Sequence, residues 1–191
     1  IKDLHYEGVN GKPFVQFVHL EGSHPIYGRR FPKEFARFGT KDIPQQFGDE
    51  RDQVLADYVN SVYYNDYVVS EIIKRYSHQD ALVIYFADHG EILYDDPSQP
   101  GYNGHGVHPS GVSVPFLVYF SPSLKAKKPD LYAQLDRAKD LPIMNDLFTH
   151  AFCDLLGIKT KFTNSKLNYF SPSYDSSRPR VIKSLGKVLR M

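Results

Sequence analysis

The sequence predicts an α/β fold in which a largely parallel central sheet is flanked by helices. Three short apolar segments have the composition of buried strands, and segments with helical periodicity lie between and after them. Strands that alternate with helices are typical of layered α/β domains, because each helix packs its apolar face on the sheet. At 191 residues the chain is long enough for one domain with a substantial core.

The first two predicted strands are separated by the longest predicted helix. Residues 14–20 form an aromatic and β-branched run that stops at a turn of Gly, Ser and Pro composition. From about Asp52 to Tyr76, apolar residues recur near the 3.6-residue period of an amphipathic helix. Residues 81–87 are a continuous apolar run that turns polar at Asp88, which is typical of a parallel strand buried on both faces.

The remaining elements follow from composition and from turn signals. A polar, glycine-rich loop is predicted from Gly90 to Gly111, and a third strand from Pro115 to Phe120. Apolar residues between 143 and 156 make one helical face, and Gly157 is well placed as its C-cap.

The predicted domain covers residues 1–191, with its core at about 13–160. Residues 161–191 are rich in Ser, Pro, Asn and Tyr and then basic, so they predict a loosely structured tail. A closing strand is expected at Arg180 to Ile182. Because the chain begins at Ile1 rather than at Met, we expect it to be part of a longer protein.

The bulk properties exclude some classes of partner. The formal net charge of +1 provides no global field that would attract nucleic acid or an anionic membrane. No apolar run approaches the roughly eighteen residues that span a bilayer. A single cysteine, Cys153, cannot form an internal disulfide, so the cysteine content leaves the compartment open.

Histidines and carboxylates follow the predicted strands. In open α/β sheets, ligand sites form beyond the carboxyl ends of the strands. His24 lies four residues after the first strand, Asp88 and His89 directly end the second, and His105 and His108 lie in the loop that leads to the third. We therefore expect these side chains to cluster at one edge of the sheet.

The pair Asp88 and His89 is the sharpest candidate for a metal site. A carboxylate and an imidazole together suit Zn²⁺ or Mn²⁺ better than Ca²⁺. Gly90 would let the backbone turn sharply so that both side chains reach the same ion. Glu91 could orient a metal ligand or cap a helix. The alternative is that Asp88 caps the next element beside a surface histidine.

The other candidates are weaker when taken alone. His24 stands in a turn and His108 in a loop, where a histidine is most often a solvated surface residue. Glycines flank His105, which allows a close approach to an ion or a phosphate but also fits a flexible loop. The run 95–97 predicts a turn rather than a Ca²⁺ site, because the spacing of an EF-hand loop is absent.

Several motifs together resemble one family. His19 to His24, followed by Tyr27 and Arg30-Phe31-Pro32, resembles the His-x-x-Gly-Ser-His…Tyr…Arg-Tyr-Pro signature of bacterial phosphoethanolamine transferases, which belong to the alkaline phosphatase and sulfatase superfamily. Agreement in chain order over most of residues 14–160 is more specific than any single motif. The other similar motifs are Tyr58-Val59-Asn60, Asn65-Asp66, Ala87-Asp88-His89-Gly90-Glu91, His105-Gly106, Val114-Pro115-Phe116, Asp146-Leu147-Phe148 and Leu155-Leu156-Gly157-Ile158.

The resemblance implies roles for the candidate residues. Asp88 and His89 would bind a catalytic zinc or manganese ion, with His105 as a further candidate ligand. His24 and His105 would act in catalysis by binding the phosphoryl group or a second metal, and His108 would help to bind phosphate. Glu91 would orient a metal ligand. The family's threonine nucleophile and acidic metal ligand have no counterpart in this sequence, which therefore resembles the C-terminal half of an alkaline-phosphatase/sulfatase-like catalytic domain.

The resemblance also implies a reaction and a location. Phosphoethanolamine would move from a phospholipid donor to a cell-envelope acceptor through a phospho-threonine intermediate, at the bacterial inner membrane and facing the periplasm. The membrane attachment would be an N-terminal region absent from this chain. The chain alone is expected to be inactive. The alternatives are a sulfatase or phosphatase of the same superfamily, although the sulfatase nucleophile pattern is absent, and a noncatalytic binding module.

Overall fold

The structure is a computed structural model that describes residues 11–44, 47–98, 100, 101, 103–184 and 186–191. The chain divides into two compact units, of which the first ends at Tyr76 and the second begins at Ser77. Within this part of the chain, no helix combines the length and the apolar composition that crossing a bilayer requires.

The first unit is organised by helix α1, Glu50–Tyr76. The predicted helix from about Asp52 is thus confirmed to within two residues. Acidic residues in its first turn and basic residues in its last turn complement the helix dipole. Three short 3-10 turns pack against α1, namely Tyr27–Arg29, Lys33–Phe35 and Thr40–Asp42.

The first predicted strand, residues 14–20, is not a strand in the structure. None of these residues has a strand assignment, and Phe17 is 76% exposed. A strand forms only when a neighbour satisfies its backbone groups, and no described strand pairs with this segment. The prediction of a mostly buried strand here is therefore wrong for the described chain, although the composition is that of a strand.

The second unit contains six strands and four helices among its described residues. The elements, in chain order, are β1 Leu82–Phe86, β2 Ile92–Leu93, β3 Asn103–Gly104, α2 Pro109–Val112, β4 Phe116–Phe120, α3 Pro122–Lys127, α4 Pro129–Asp136, α5 Phe148–Leu155, β5 Val181–Ser184 and β6 Lys187–Arg190. The strands form three antiparallel pairs, β1 with β4, β2 with β3 and β5 with β6.

The pairing of β1 corrects two predictions. Strand β1 lies where the apolar run predicts it, but it pairs antiparallel with β4, and all five of its residues are half-buried rather than buried on both faces. A parallel partner needs a crossover of a dozen or more residues that is usually a helix. Among its described residues, the connection from β1 to β4 contains the β2–β3 hairpin and the four-residue helix α2 but no crossover helix, so the chain returns in the opposite direction.

The core of the second unit includes part of the predicted tail. Its buried residues are Leu135, Ala138, Leu147, Ala151, Tyr169 and Phe170. Because Tyr169 and Phe170 are almost fully buried, this stretch of 161–191 is packed rather than loosely structured. The closing strand predicted at Arg180 overlaps β5.

The end of α5 agrees with the sequence. Gly157 has a φ of +67°, a conformation that favours glycine. Its N–H donates to the Asp154 carbonyl at 3.0 Å, and the Ile158 N–H donates to the Cys153 carbonyl at 2.8 Å. This pair of bonds is a Schellman motif, in which Leu156 is the C-cap and Gly157 is the left-handed residue that ends the helix, as the sequence predicts.

Candidate active site

The candidate site begins where β1 ends. Residues 88–91 leave β1, and residues 104–111 pass beside them; we call these two segments the β1 rim. The last residue of β1, Phe86, is paired with Phe116 of β4, and their rings are stacked with centroids 5.6 Å apart. The Phe86 ring also contacts the ring of Phe148 of α5, with the two centroids 4.7 Å apart. The strand end from which the rim begins is therefore held by packed aromatic side chains.

Asn145 fixes the backbone just before the rim. Its side-chain amide donates to the carbonyl of Ala87 at 2.9 Å, across 58 residues of sequence. This bond occupies the backbone carbonyl that precedes Asp88. The sequence does not indicate this role, because a single asparagine ahead of a helix carries no signal for a partner so distant in the chain.

Asp88 and His89 point their polar atoms towards each other. His89 Nε2 lies 3.8 Å from Asp88 Oδ2, and the His89 backbone N–H donates to Asp88 Oδ1 at 3.1 Å. The Asp88 side chain is 90% exposed and that of His89 is 38% exposed, so both are accessible to a ligand. Asp88 thus binds the next residue's backbone with one oxygen and offers the other to the solvent side.

A backbone carbonyl determines which nitrogen of His89 carries the proton. His89 Nδ1 lies 3.0 Å from the carbonyl oxygen of Gly90. A carbonyl only accepts hydrogen bonds, so Nδ1 must be the donor in this contact. In the neutral ring, Nε2 then has a free lone pair, which is the state that a metal ligand needs.

Gly90 is required at the rim by close packing. A Cβ atom built at Gly90 would lie 2.1 Å from the backbone oxygen of Ser110 and 2.9 Å from that of Ser113. The Gly90 N–H also donates to the Gly111 carbonyl at 3.0 Å. The sequence predicted a glycine for a sharp turn, whereas the structure needs it because two backbones approach closely.

Two further histidines belong to the rim. The rings of His105 and His89 meet edge to face with centroids 4.5 Å apart, so the structure brings this predicted pair together. The Nδ1 of His108 accepts the Ser110 backbone N–H at 3.2 Å and caps α2. His108 is therefore not simply solvated: its neutral ring carries its proton on Nε2, the opposite arrangement from His89.

His24 lies in the first unit, in a turn of residues 21–25 that we call the His24 turn. Gly22 has a φ of +55°, which allows the chain to reverse after Leu20. The Arg30 guanidinium donates to the backbone carbonyl of His24 at 3.0 Å and to that of Pro25 at 2.8 Å. The motif that contains His24 is thus held in shape by an arginine to which the sequence reasoning gave no role.

Another motif residue, Asn60 of α1, is structural. It is 2% exposed, and its side-chain oxygen accepts the backbone N–H groups of Arg37 and Phe38, both at 2.8 Å. Its amide donates to the Phe38 carbonyl at 2.8 Å. Asn60 therefore holds the segment before α1 against the helix.

The described side chains do not complete a metal site. Among them, no group of three or more His, Cys, Asp or Glu side chains is placed to hold a metal ion. Asp88 and His89 nonetheless fit one: two ligand atoms of a tetrahedral zinc lie about 3.4 Å apart, close to the observed 3.8 Å. The role of Glu91 stays a prediction. Of the run 95–97, only Pro97 lies in an assigned turn, which continues at Ser98, and Asp95 accepts from the Leu93 N–H at 2.7 Å.

Comparison with known proteins shows the family to which the chain belongs. The sulfatase family model matches residues 3–158, and the chain belongs to that family.

Relatives within the family are phosphoethanolamine transferases. The chain is 32% identical over 148 residues to phosphoethanolamine transferase EptC of Escherichia coli O18:K1:H7, covering 74% of this chain and 25% of that protein. It is 29% identical over 136 residues to the Kdo(2)-lipid A phosphoethanolamine 7''-transferase of Escherichia coli K12, covering 70% of this chain and 24% of that protein. The chain thus spans about a quarter of the length of these relatives.

Solved structures agree. The C-terminal periplasmic domain of EptC from Escherichia coli matches with a TM-score of 0.76 and 25% identity, over 88% of this chain and 49% of that domain. A complex of the same domain with zinc matches equally well, at 24% identity. These similarities confirm the predicted alkaline-phosphatase/sulfatase-like fold and the predicted relationship to this family of enzymes. The largely parallel sheet of the prediction is not seen among the described strands, whose three pairs are antiparallel.

Proposed function

We propose that this chain is the C-terminal part of the catalytic domain of a metal-dependent phosphoethanolamine transferase. The observation that carries the proposal is the geometry of Asp88 and His89, a carboxylate oxygen and an imidazole lone pair 3.8 Å apart at the end of β1. Named relatives with this activity and a zinc complex of a similar domain support it.

Asp88 and His89 would hold zinc, or manganese in its place. When bound, the ion would lower the pKa of a nucleophilic hydroxyl and stabilise the charge that develops on the phosphoryl group. The backbone carbonyl of Gly90 keeps the His89 lone pair on Nε2, and the N–H of His89 orients the Asp88 carboxylate. This chain has no match for the remaining metal ligands or for the threonine nucleophile. They would come from a segment outside it.

The other histidines would act on the transferred group. His108 presents an N–H from Nε2, which suits a nonbridging phosphoryl oxygen. His105, in edge contact with His89, would neutralise a phosphoryl oxygen or complete the metal coordination. Glu91 would orient a metal ligand at the rim.

The substrates and the location follow from the relatives. The donor would be a phospholipid and the acceptor a cell-envelope glycolipid, because one relative is named for transfer to lipid A. The domain would face the periplasm from the bacterial inner membrane, and the matching domain of EptC is named a periplasmic domain.

The test is transfer activity of the longer polypeptide that contains this segment. Labelled phosphoethanolamine from phosphatidylethanolamine should appear on a lipid A acceptor, and Asp88→Ala and His89→Ala should each lower the rate about 100-fold or more and remove bound zinc. His78→Ala is the matched control, since His78 is an exposed histidine outside the rim. Release of the label to water, without transfer, would favour a hydrolase of the same family.

The 191-residue chain alone should show almost no transfer. Its nucleophile is outside the chain and metal affinity depends on the full ligand set. Robust transfer by the chain alone, or full zinc occupancy in both rim variants of the longer polypeptide, would overturn the proposal.

A further inference from the structure

All three nitrogen atoms of the Arg30 guanidinium group have partners in the His24 turn. Arg30 Nε donates to the His24 carbonyl at 3.0 Å, Nη1 forms an ion pair with Glu21, and Nη2 donates to the Pro25 carbonyl at 2.8 Å. The Arg30 side chain is only 16% exposed, whereas that of Glu21 is 70% exposed. Arg30 is therefore embedded in the His24 turn rather than extended into solvent.

Nη2 also contacts the His24 ring. Nη2 lies 3.4 Å from His24 Nδ1. A guanidinium group has five donors and no acceptor, so Nδ1 must accept in this contact. An accepting Nδ1 carries a lone pair and no proton, so the proton of the neutral ring is on Nε2.

We propose that Arg30 is a positioning residue that fixes the neutral His24 ring with its proton on Nε2. The ring then presents an N–H donor to its surroundings, and it has no lone pair on Nε2 for a metal ion. Resting on the proposed function, this deepens it: His24 would donate to an oxygen of the phosphoryl group and would not be the ligand of a second metal.

The planar fork of arginine suits this task better than a lysine would. Two backbone carbonyls and one ring nitrogen are contacted from fixed directions, so the ring orientation and the turn are set together. A compact ammonium group has donors but no fixed geometry, and it would leave the ring free to rotate.

The test is the tautomer of His24 in the 191-residue chain, measured by long-range ¹H–¹⁵N correlation NMR. The spectrum is recorded at about pH 8.5, above the pKa of a free imidazole, which is about 6.5. The spectrum should show His24 with an unprotonated Nδ1 and a protonated Nε2. The His24 resonances are assigned by their loss in His24→Gln.

Two variants separate Arg30 from the rest of the turn. Arg30→Met keeps the length of the side chain and removes the donors, and it should shift the His24 Nδ1 resonance towards the averaged position of a ring that exchanges between tautomers. Glu21→Gln removes the ion pair but keeps Arg30, and it should leave the His24 spectrum unchanged. His108 serves as an internal reference, because its Nδ1 is held by a backbone N–H in the other unit.

A protonated Nδ1 or an averaged His24 signal in the unsubstituted chain would overturn the proposal without any variant. So would an Arg30→Met spectrum identical to that of the unsubstituted chain. No metal or phosphate takes part in this measurement, so failure of the proposal about Arg30 leaves the transferase proposal standing, and failure of zinc binding or transfer leaves the tautomer result standing.

Discussion

The end of β1 and the start of α2 present their histidine rings in opposite ways. At the end of β1, a backbone carbonyl accepts from Nδ1 of His89 and leaves a lone pair on Nε2. At the start of α2, a backbone N–H donates to Nδ1 of His108 and leaves a proton on Nε2. The backbone partner of Nδ1, and not the residue type, therefore decides whether a histidine suits a metal ion or a phosphoryl oxygen.

Zinc binding tests this difference most directly. In the longer polypeptide that contains this segment, His89→Ala should weaken Zn²⁺ binding about 100-fold or to below detection, because it removes the nitrogen that offers a lone pair. His108→Ala should change the affinity by no more than about threefold. The measurement is calorimetric titration with Zn²⁺, and His78→Ala controls for the loss of an exposed imidazole.

Equal losses in His89→Ala and His108→Ala would break the comparison, since both rings would then act as ligands. Unchanged binding in His89→Ala would remove it from the metal site altogether.

Packing at Gly90 is the next test, because this residue supplies the carbonyl that His89 contacts. In Gly90→Ala the new methyl group would lie 2.1 Å from the Ser110 oxygen, so the two segments of the rim must separate. We expect a loss of about 1–3 kcal/mol in the free energy of unfolding. We also expect about 10- to 100-fold weaker Zn²⁺ binding, the usual effect of losing the partner that orients a histidine ligand.

Gly101→Ala is the matched control, because a Cβ atom there meets nothing within 4 Å. Chemical denaturation and Zn²⁺ titration of both variants give the two quantities. A Gly90→Ala variant with the stability of Gly101→Ala would show that the close approach to Ser110 does not shape the rim.

The sequence carries enough information to place β1, β4, α1 and the rim histidines. An apolar run that ends at a carboxylate and an imidazole predicts a strand with a site at its end, and the structure has β1 with Asp88 and His89 there. Local composition cannot give the direction of a strand's partner, and β1 pairs antiparallel with β4 because no crossover helix separates them. Residues 14–20 have the composition of a strand, yet no described strand pairs with them.

The residues that position the site are harder to find in a sequence. Arg30 and Asn145 act through bonds to backbone carbonyls, those of His24, Pro25 and Ala87. A backbone carbonyl is present at every position, so nothing in the local sequence marks the ones that will be bound. His108 shows the same limit: its position predicts a loop histidine, and only the folded chain shows that the Ser110 N–H sets its tautomer.

The smallest expected effect concerns Asn145, because it binds the carbonyl of Ala87, the residue before the rim, and does not contact a rim residue through this bond. In Asn145→Ala the Ala87 carbonyl loses its donor, and we expect the free energy of unfolding to fall by about 0.5–1.5 kcal/mol. The matched control is Asn164→Ala, which removes the bond that Asn164 accepts from the Lys166 N–H at 2.9 Å. Both variants should be destabilised to a similar degree, because each loses one side chain–backbone bond. Only Asn145→Ala should weaken Zn²⁺ binding, by about two- to fivefold, since Ala87 directly precedes Asp88. If both variants bind Zn²⁺ equally well, the end of β1 is held by its aromatic contacts and not by Asn145.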